Sequence, residues 1–235
     1  MRFEAKVIER VMRTPDVISV RFDRAAGFEY SPGQYIFLTV YSGGEKLTKH
    51  LTISSSPTEL DHLEVTKRLT GHPYSNAISE LREGDKVALD GPFGSREFTF
   101  TGEYNKLLLL TGGIGVTPLR SMIRYCVDKV LRTDIILIYS NRYEGDIAFR
   151  EEFDEIQRLN GNFRVIYTVT RPTEGWGGLT GRVDAGFIKR EVYVCHERVA
   201  YVSGPRLMVD EMVAALRNGL GMSDDSVRYQ YFPGY

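Results

Sequence analysis

From Arg2 to about Phe100 the apolar positions fall in short β-rich runs broken by turn residues. The runs are Phe3–Val11, Val17–Phe22, Gln34–Tyr41, Lys49–Ser54, Leu63–Leu69 and Lys86–Leu89. Ser31-Pro32-Gly33, Ser42-Gly43-Gly44, Glu83-Gly84-Asp85 and Gly91-Pro92-Phe93-Gly94 punctuate them. Strands at that spacing, with one short helix over Ser75–Leu81, predict a small antiparallel β-barrel or sandwich. From Lys106 onward strands and helices alternate. Leu107-Leu108-Leu109-Leu110 is apolar throughout, as a strand buried on both faces requires. Leu119, Met122, Ile123, Cys126, Val127 and Val130 then form a helical stripe. Strands follow at Asp134–Tyr139, Phe163–Val169, Val199–Val202 and Ser226–Tyr231, and helices at Phe149–Leu159 and Arg206–Leu220. This is an α/β parallel-sheet pattern, with ligands expected at the carboxyl ends of the strands. The change of texture near Thr101–Asn105 divides the chain into residues 1–102 and 103–235.

Composition narrows the function. With 235 residues, 42% of them hydrophobic and 26% charged, the chain is long enough to fill its cores without staples. A formal net charge of −1 gives no electrostatic reason to expect nucleic acid or an anionic membrane as partner. Two cysteines, Cys126 and Cys195, cannot supply the four thiolates of an iron–sulfur cluster. Cys126 lies on the helical stripe and reads as core. No stretch approaches the ~20 apolar residues of a membrane span. The amino terminus lacks the apolar segment of a secretion signal, so the expected location is cytoplasmic. His50, His62, His72 and His196 show no metal-ligand spacing, and no metal is expected. Trp176 reads as a loop anchor, and Glu151-Glu152 with Asp154-Glu155 as a solvated helix face.

Three strand-end segments carry candidate chemistry. Thr111-Gly112-Gly113-Ile114-Gly115-Val116-Thr117-Pro118 joins the Leu run to a helix, and its glycines let backbone N–H groups approach a pyrophosphate. Thr117 can cap that helix and Pro118 suits its first position. A glycine turn kept for packing alone is the alternative. Ser203-Gly204-Pro205 is a second strand-to-helix turn, with Ser203 expected at an exposed rim; a plain helix cap would look the same. Between them stand Ser140-Asn141-Arg142, where a dinucleotide fold reads the adenine ribose. Arg142 there favours a 2′-phosphate and hence NADPH over NADH, against the alternative of a surface charge. Glu144 and Asp146 follow closely.

Across almost its whole length the sequence resembles the ferredoxin-NADP reductase superfamily. The flavin motif Arg-x-(Tyr/Phe)-(Ser/Thr) is resembled by Lys49-His50-Leu51-Thr52. The flavin-phosphate stretch is resembled by Val65-Thr66-Lys67-Arg68 with Gly71 to Ser75-Asn76. Gly112–Pro118 is similar to the nicotinamide-pyrophosphate loop. Ser203-Gly204-Pro205 with Met208 is similar to the Cys-Gly-Pro-x-x-Met motif. Tyr30–Tyr35, with Pro32-Gly33-Gln34, and Gly91-Pro92-Phe93-Gly94 match lesser landmarks.

The resemblance implies a flavin-binding barrel over 1–102 and an NAD(P)-binding domain over 103–235. It implies FAD, with FMN a weaker choice, and NADPH or NADH as co-substrate. Lys49 would neutralise a flavin phosphate in place of arginine, and His50 would flank it. Leu51 would give apolar contact to the ring in place of an aromatic, and Thr52 would present its hydroxyl near flavin N5. Ser75 and Asn76, opening a short helix, would hold the flavin pyrophosphate. Thr117 would lie near the nicotinamide. Ser203 would replace the family's thiol beside nicotinamide C4, and Tyr235 would cover the flavin ring. Gln230 takes a place often held by glutamate. The implied activity is hydride transfer from NAD(P)H to flavin N5, then electron delivery to a protein acceptor such as ferredoxin. Reduction of free flavin, or service as an electron-transfer subunit of a larger complex, are the alternatives.

Overall fold

The computed structural model describes residues 1–232. Six antiparallel strands come first: β1 Arg2–Thr14, β2 Val17–Phe22, β3 Tyr35–Ser42, β4 Glu45–Thr52, β5 Leu63–Arg68 and β6 Lys86–Phe93. They form one curled sheet in the order β4-β3-β6-β1-β2-β5. Its two edges meet where Ile53, just past β4, bridges Val65 of β5. The expected barrel is therefore present. Alternation drives it: Ile36, Leu38 and Val40 of β3 point inward with Val7, Val20, Leu63 and Leu89, while Phe37 and Tyr41 point out. Helix α1, Pro73–Glu80, plugs the barrel with Tyr74, Ala77 and Ile78. It starts two residues before the Ser75 expected from sequence, because Pro73 pre-sets the first helical turn.

The second half is an all-parallel sheet. β7 Lys106–Gly112, β8 Asp134–Asn141, β9 Phe163–Val169, β10 Leu179–Thr180, β11 Val199–Gly204 and β12 Val227–Tyr231 lie in the order β10-β9-β8-β7-β11-β12. Helices α2 Val116–Asp128 and α3 Arg150–Leu159 cover the face bearing Leu107 and Leu109. Helices α4 Ala185–Glu191 and α5 Arg206–Ala214 cover the face bearing Leu108 and Leu110. Burial on both faces explains the unbroken Leu run. β10 and α4 were not expected from sequence. The helix expected through Leu220 leaves α-geometry at Ala215 for a π-helical turn, Ala215–Gly219. Phe149, expected inside α3, caps it instead in the left-handed region with φ 60°.

The strand order reverses at β7, whose neighbours continue to β8 on one side and to β11 on the other. Ligands of open parallel sheets bind at such a switch point, outside the carboxyl ends. Val17, Phe98 and Phe100 from the barrel half pack into the same core as α2, so the barrel is seated against the face of the second sheet. No helix among the described residues is long and apolar enough to cross a membrane.

Candidate functional site at the β7–β11 switch point

Gly113-Ile114-Gly115 forms a single 3-10 turn between β7 and α2. Three hydroxyls occupy its carbonyls. Tyr139 donates to Gly113 O (3.0 Å), Thr117 to Ile114 O (3.2 Å) and Ser203 to Gly115 O (2.7 Å). With the acceptors taken, the turn keeps N–H donors at a helix start, the arrangement that receives an anion. Gly113 has φ 56°, and a Cβ there would meet open space. At Gly115 a Cβ would sit 2.5 Å from Ser203 O and 2.6 Å from Gly204 Cα. The two glycine turns are thus in direct backbone contact. Thr111 adds a bond from its hydroxyl to Ser203 O (2.9 Å). Met208 lies over both turns, its side chain where a Cβ on Gly112 or Gly204 would fall.

These contacts correct three expectations. Thr117 does not cap α2; it is the second helical residue, buried, and its hydroxyl braces the loop behind it. Pro118 is the third helical residue rather than the first, still within the turn whose N–H groups lack intrahelical partners. Ser203 is not exposed at the rim. It is 0% exposed, because Gly115 packs directly on it. Pro205 does precede α5, and Phe232 N donates to Gly204 O (2.9 Å), which brings the end of β12 to the same turn. Tyr235 lies outside the described residues.

At the carboxyl end of β8, Ser140 is half-buried, Asn141 buried and Arg142 exposed. Both amide atoms of Asn141 are buried without a hydrogen-bond partner. Such a group costs about 1–3 kcal/mol unless something bonds it, which fits a polar ligand at this strand end. Arg171, missed in the sequence, belongs here. Its N–H donates to Arg142 O (2.8 Å), so two exposed arginines stand side by side. Asp146 turns back to accept from Tyr143 N (3.3 Å). Glu144 accepts from Thr173 Oγ1 with one oxygen, while its Oε2 is unpartnered.

The flavin-motif residues lie along the barrel seam. Lys49 is exposed, Leu51 packs partly on the barrel core and Thr52 is buried. His50, one position out of phase, points to the other face of β4, where its ring packs edge-on against Tyr35 (5.6 Å) and Phe37 (6.2 Å). Across the seam, burial and then the charge of Lys49 hold the Lys67 amine below its ordinary pKa. Neither lysine pairs with a carboxylate among the described residues. Lys67 Nζ donates to Arg68 O (3.1 Å), and two amines without a carboxylate partner fit a phosphate-bearing ligand. Thr66 is turned away from this side, bonded to Ser19 (2.7 Å) and Ser54 (2.8 Å). Ser75 Oγ accepts from Thr70 N (2.8 Å), leaving its own hydroxyl hydrogen to donate. Asn76 Nδ2 donates to Gly71 O (3.1 Å), which closes the loop ahead of α1.

One cluster joins the two halves, and sequence reading passed over it. Arg120 of α2 is 4% exposed and reaches Ser54 O (3.0 Å) and both carboxylates of Glu59 and Glu152. Burial alone would lower its pKa; Glu152, Glu64 and Glu59 reverse that and raise it. Glu152 is therefore no solvated helix-face residue. Ser121 Oγ donates to Ser55 O (2.6 Å). Beneath them Glu64, fully buried, receives Arg13 (2.8 Å) and Arg21 (3.0 Å). Burial pushes its carboxyl up, but Arg120, Arg13 and Arg21 hold it below the ordinary range. A signal existed: Arg120 sits between core positions Leu119, Met122 and Ile123, where a charge needs a buried partner.

Comparison with known proteins decides the family. Residues 4–98 match the family of oxidoreductase FAD-binding domains, and residues 109–214 match that of oxidoreductase NAD-binding domains. The chain belongs to the ferredoxin-NADP reductase superfamily. Its fold is that of the flavohaem-like FAD/NAD-binding domain of nitric oxide dioxygenase from Vibrio cholerae (TM-score 0.86, 19% identity, 97% of this chain and 98% of that one). A Neisseria gonorrhoeae ferredoxin-NADP+ reductase solved with FAD and NADP superposes with a TM-score of 0.81 at 19% identity, over 98% of both chains. In sequence, this superfamily member is 30% identical over 230 residues to the reductase subunit of glycine betaine monooxygenase from Chromohalobacter salexigens. That match takes in 94% of this chain and 62% of the relative, so the chain spans about three fifths of that protein's length.

Proposed function

We propose that the protein is an FAD-dependent reductase that takes a hydride from NAD(P)H and passes the electrons to a redox protein. In this reading residues 1–102 hold the flavin and 103–235 the nucleotide. The observation that carries it is the construction of the switch point. Gly113–Gly115 has its carbonyls tied back, rests on Ser203-Gly204, and sits at the head of a helix bonded to the strand end that follows Thr52. When bound, the flavin supplies the redox chemistry, accepting a hydride and releasing electrons singly or in a pair. The chain supplies grip and alignment. Lys49 and Lys67, with the loop from Gly71 to Asn76, hold the flavin phosphates. Leu51 offers the ring an apolar surface, and Thr52 offers a hydroxyl at its edge. The Gly113–Gly115 donors hold the nucleotide pyrophosphate, and Thr117 and Ser203 act by bracing that turn.

The lysine pair favours retained FAD over free flavin as substrate, because a diffusing ring needs no phosphate grip. A relative that is a reductase subunit supports a protein acceptor. Arg142 beside Arg171 favours NADPH, since guanidinium groups pair with a 2′-phosphate. The second reading, NADH, rests on the unpartnered Glu144 Oε2, which could accept from a 2′-hydroxyl. Steady-state kinetics with each nucleotide and ferricyanide as acceptor test both points. The expected result is retained yellow FAD and a higher kcat/KM for NADPH. Colourless protein that binds neither FAD nor FMN would refute the reading.

A further inference from the structure

We infer that Arg120 is a positioning residue that sets the separation of the nicotinamide loop from the flavin strand, and with it the rate of hydride transfer. The inference rests on the function proposed above and adds a residue to it. Thr117, Arg120 and Ser121 stand at i, i+3 and i+4, so they form one stripe along α2. That stripe faces the barrel. Arg120 Nη1 donates to Ser54 O (3.0 Å) and Glu59 Oε2 (2.6 Å), and Nη2 to Glu59 Oε1 (3.1 Å). Its Nε donates to Glu152 Oε1 (3.0 Å). One turn of helix therefore separates the glycine loop from a guanidinium with every nitrogen engaged. On the barrel side, Ser54 and Ser55 lie two and three residues past Thr52.

The barrel end of this link is itself held. Ser54 Oγ donates to Glu64 Oε1 (2.9 Å), and Ser55 Oγ accepts from Glu64 N (2.9 Å) while contacting Tyr30 OH at 2.9 Å. The route from Thr117 to Thr52 is thus three helical residues, one charge-assisted bond and the two residues, Ile53 and Ser54, that follow β4. Stability alone does not explain the choice, because a buried ion cluster is often no better than apolar packing of the same volume. A planar fork with fixed donors is better suited to holding a distance and an angle than an apolar contact, which tolerates sliding. Hydride transfer depends on near-attack geometry, where a displacement of about 1 Å costs on the order of a hundredfold.

The test uses the FAD-loaded protein in anaerobic stopped flow with saturating NADPH. Arg120→Lys keeps the charge but cannot span the three partners, and Glu59→Gln weakens one arm while leaving the arginine in place. For Arg120→Lys the expected result is a flavin-reduction rate constant lower by roughly ten- to hundredfold, with nucleotide Kd changed by less than about threefold. Glu59→Gln should fall between it and the unaltered protein. Hydrogen exchange on the apoprotein gives a readout independent of turnover: amides of 53–60 and 116–124 should exchange faster, and the two sheet interiors should not. Reduction of Arg120→Lys at the unaltered rate, whatever happens to exchange or Tm, would overturn the inference alone. So would an equal loss of rate and affinity, which would make Arg120 a nucleotide contact. If the unaltered holoprotein is reduced by neither NADPH nor NADH, the functional reading fails and this inference fails with it.

Discussion

At the scale of single residues, the glycines separate two kinds of constraint. A Cβ on Gly115 meets the backbone of Ser203 and Gly204 at 2.5–2.6 Å, and backbone cannot step aside. A Cβ on Gly112 is crowded by the flexible Met208 side chain and meets backbone, Ser140 O, at an ordinary 3.4 Å. Gly115→Ala should therefore lower stability by about 2 kcal/mol, whereas Gly112→Ala should cost well under 1 kcal/mol once Met208 swings away. Chemical denaturation of both variants checks the contrast. Glu64 carries a pH prediction. Its folded pKa lies below the ordinary 4.5, so its contribution is present above that value and is lost as pH falls through the lower folded value. Glu64→Gln should cost about 3 kcal/mol at neutral pH and flatten the acid limb of the stability curve. An unchanged acid limb would show that another carboxylate governs it. Sequence made the glycines legible because their spacing is tied to a known turn. Glu64 and Arg120 were illegible because their ion-pair partners lie 32 to 61 positions away along the chain.

At the scale of elements, the turn after β7 depends on β11. Ser203 Oγ is the only side-chain tie from β11 to Gly115 O among the described residues, and Thr111 returns a bond to Ser203 O. Ser203→Ala should cost about 1 kcal/mol of stability and weaken nucleotide binding, because the loop loses one of its three braces. Isothermal titration with NADPH measures the second effect, and an unchanged affinity would mean that the brace at Ser203 is dispensable. Periodicity revealed the long elements: the Leu run, the α2 stripe and the barrel strands all carry strong patterns. It missed β10 and α4 for a physical reason. β10 is two residues long, and α4 buries only Phe187 and Ile188 in seven residues, too short for any period to register. The start of α1 was misplaced because His72 gives no side-chain cap to mark it.

At the scale of the whole molecule, the two halves share a core as well as ion pairs. Val17, Phe98 and Phe100 of the first half pack with α2 and β7, and Phe98 meets Tyr201 edge-on at 5.4 Å. The guanidinium groups of Arg13 and Arg120 lie 4.7 Å and 5.6 Å from the Phe149 ring centre. Burial of this kind couples the halves, so thermal unfolding should appear as one calorimetric transition; two resolved transitions would show the halves melting independently. The functional account depends on the same coupling, since it assigns the flavin to the first half and the nucleotide to the second. Its most direct measurement is the primary isotope effect on anaerobic flavin bleaching by NADPH carrying deuterium at C4. The account expects first-order bleaching that slows severalfold with the transferred deuterium. A holoprotein whose flavin stays oxidised, or bleaches at a rate indifferent to the isotope in single turnover, would contradict direct transfer between two apposed rings.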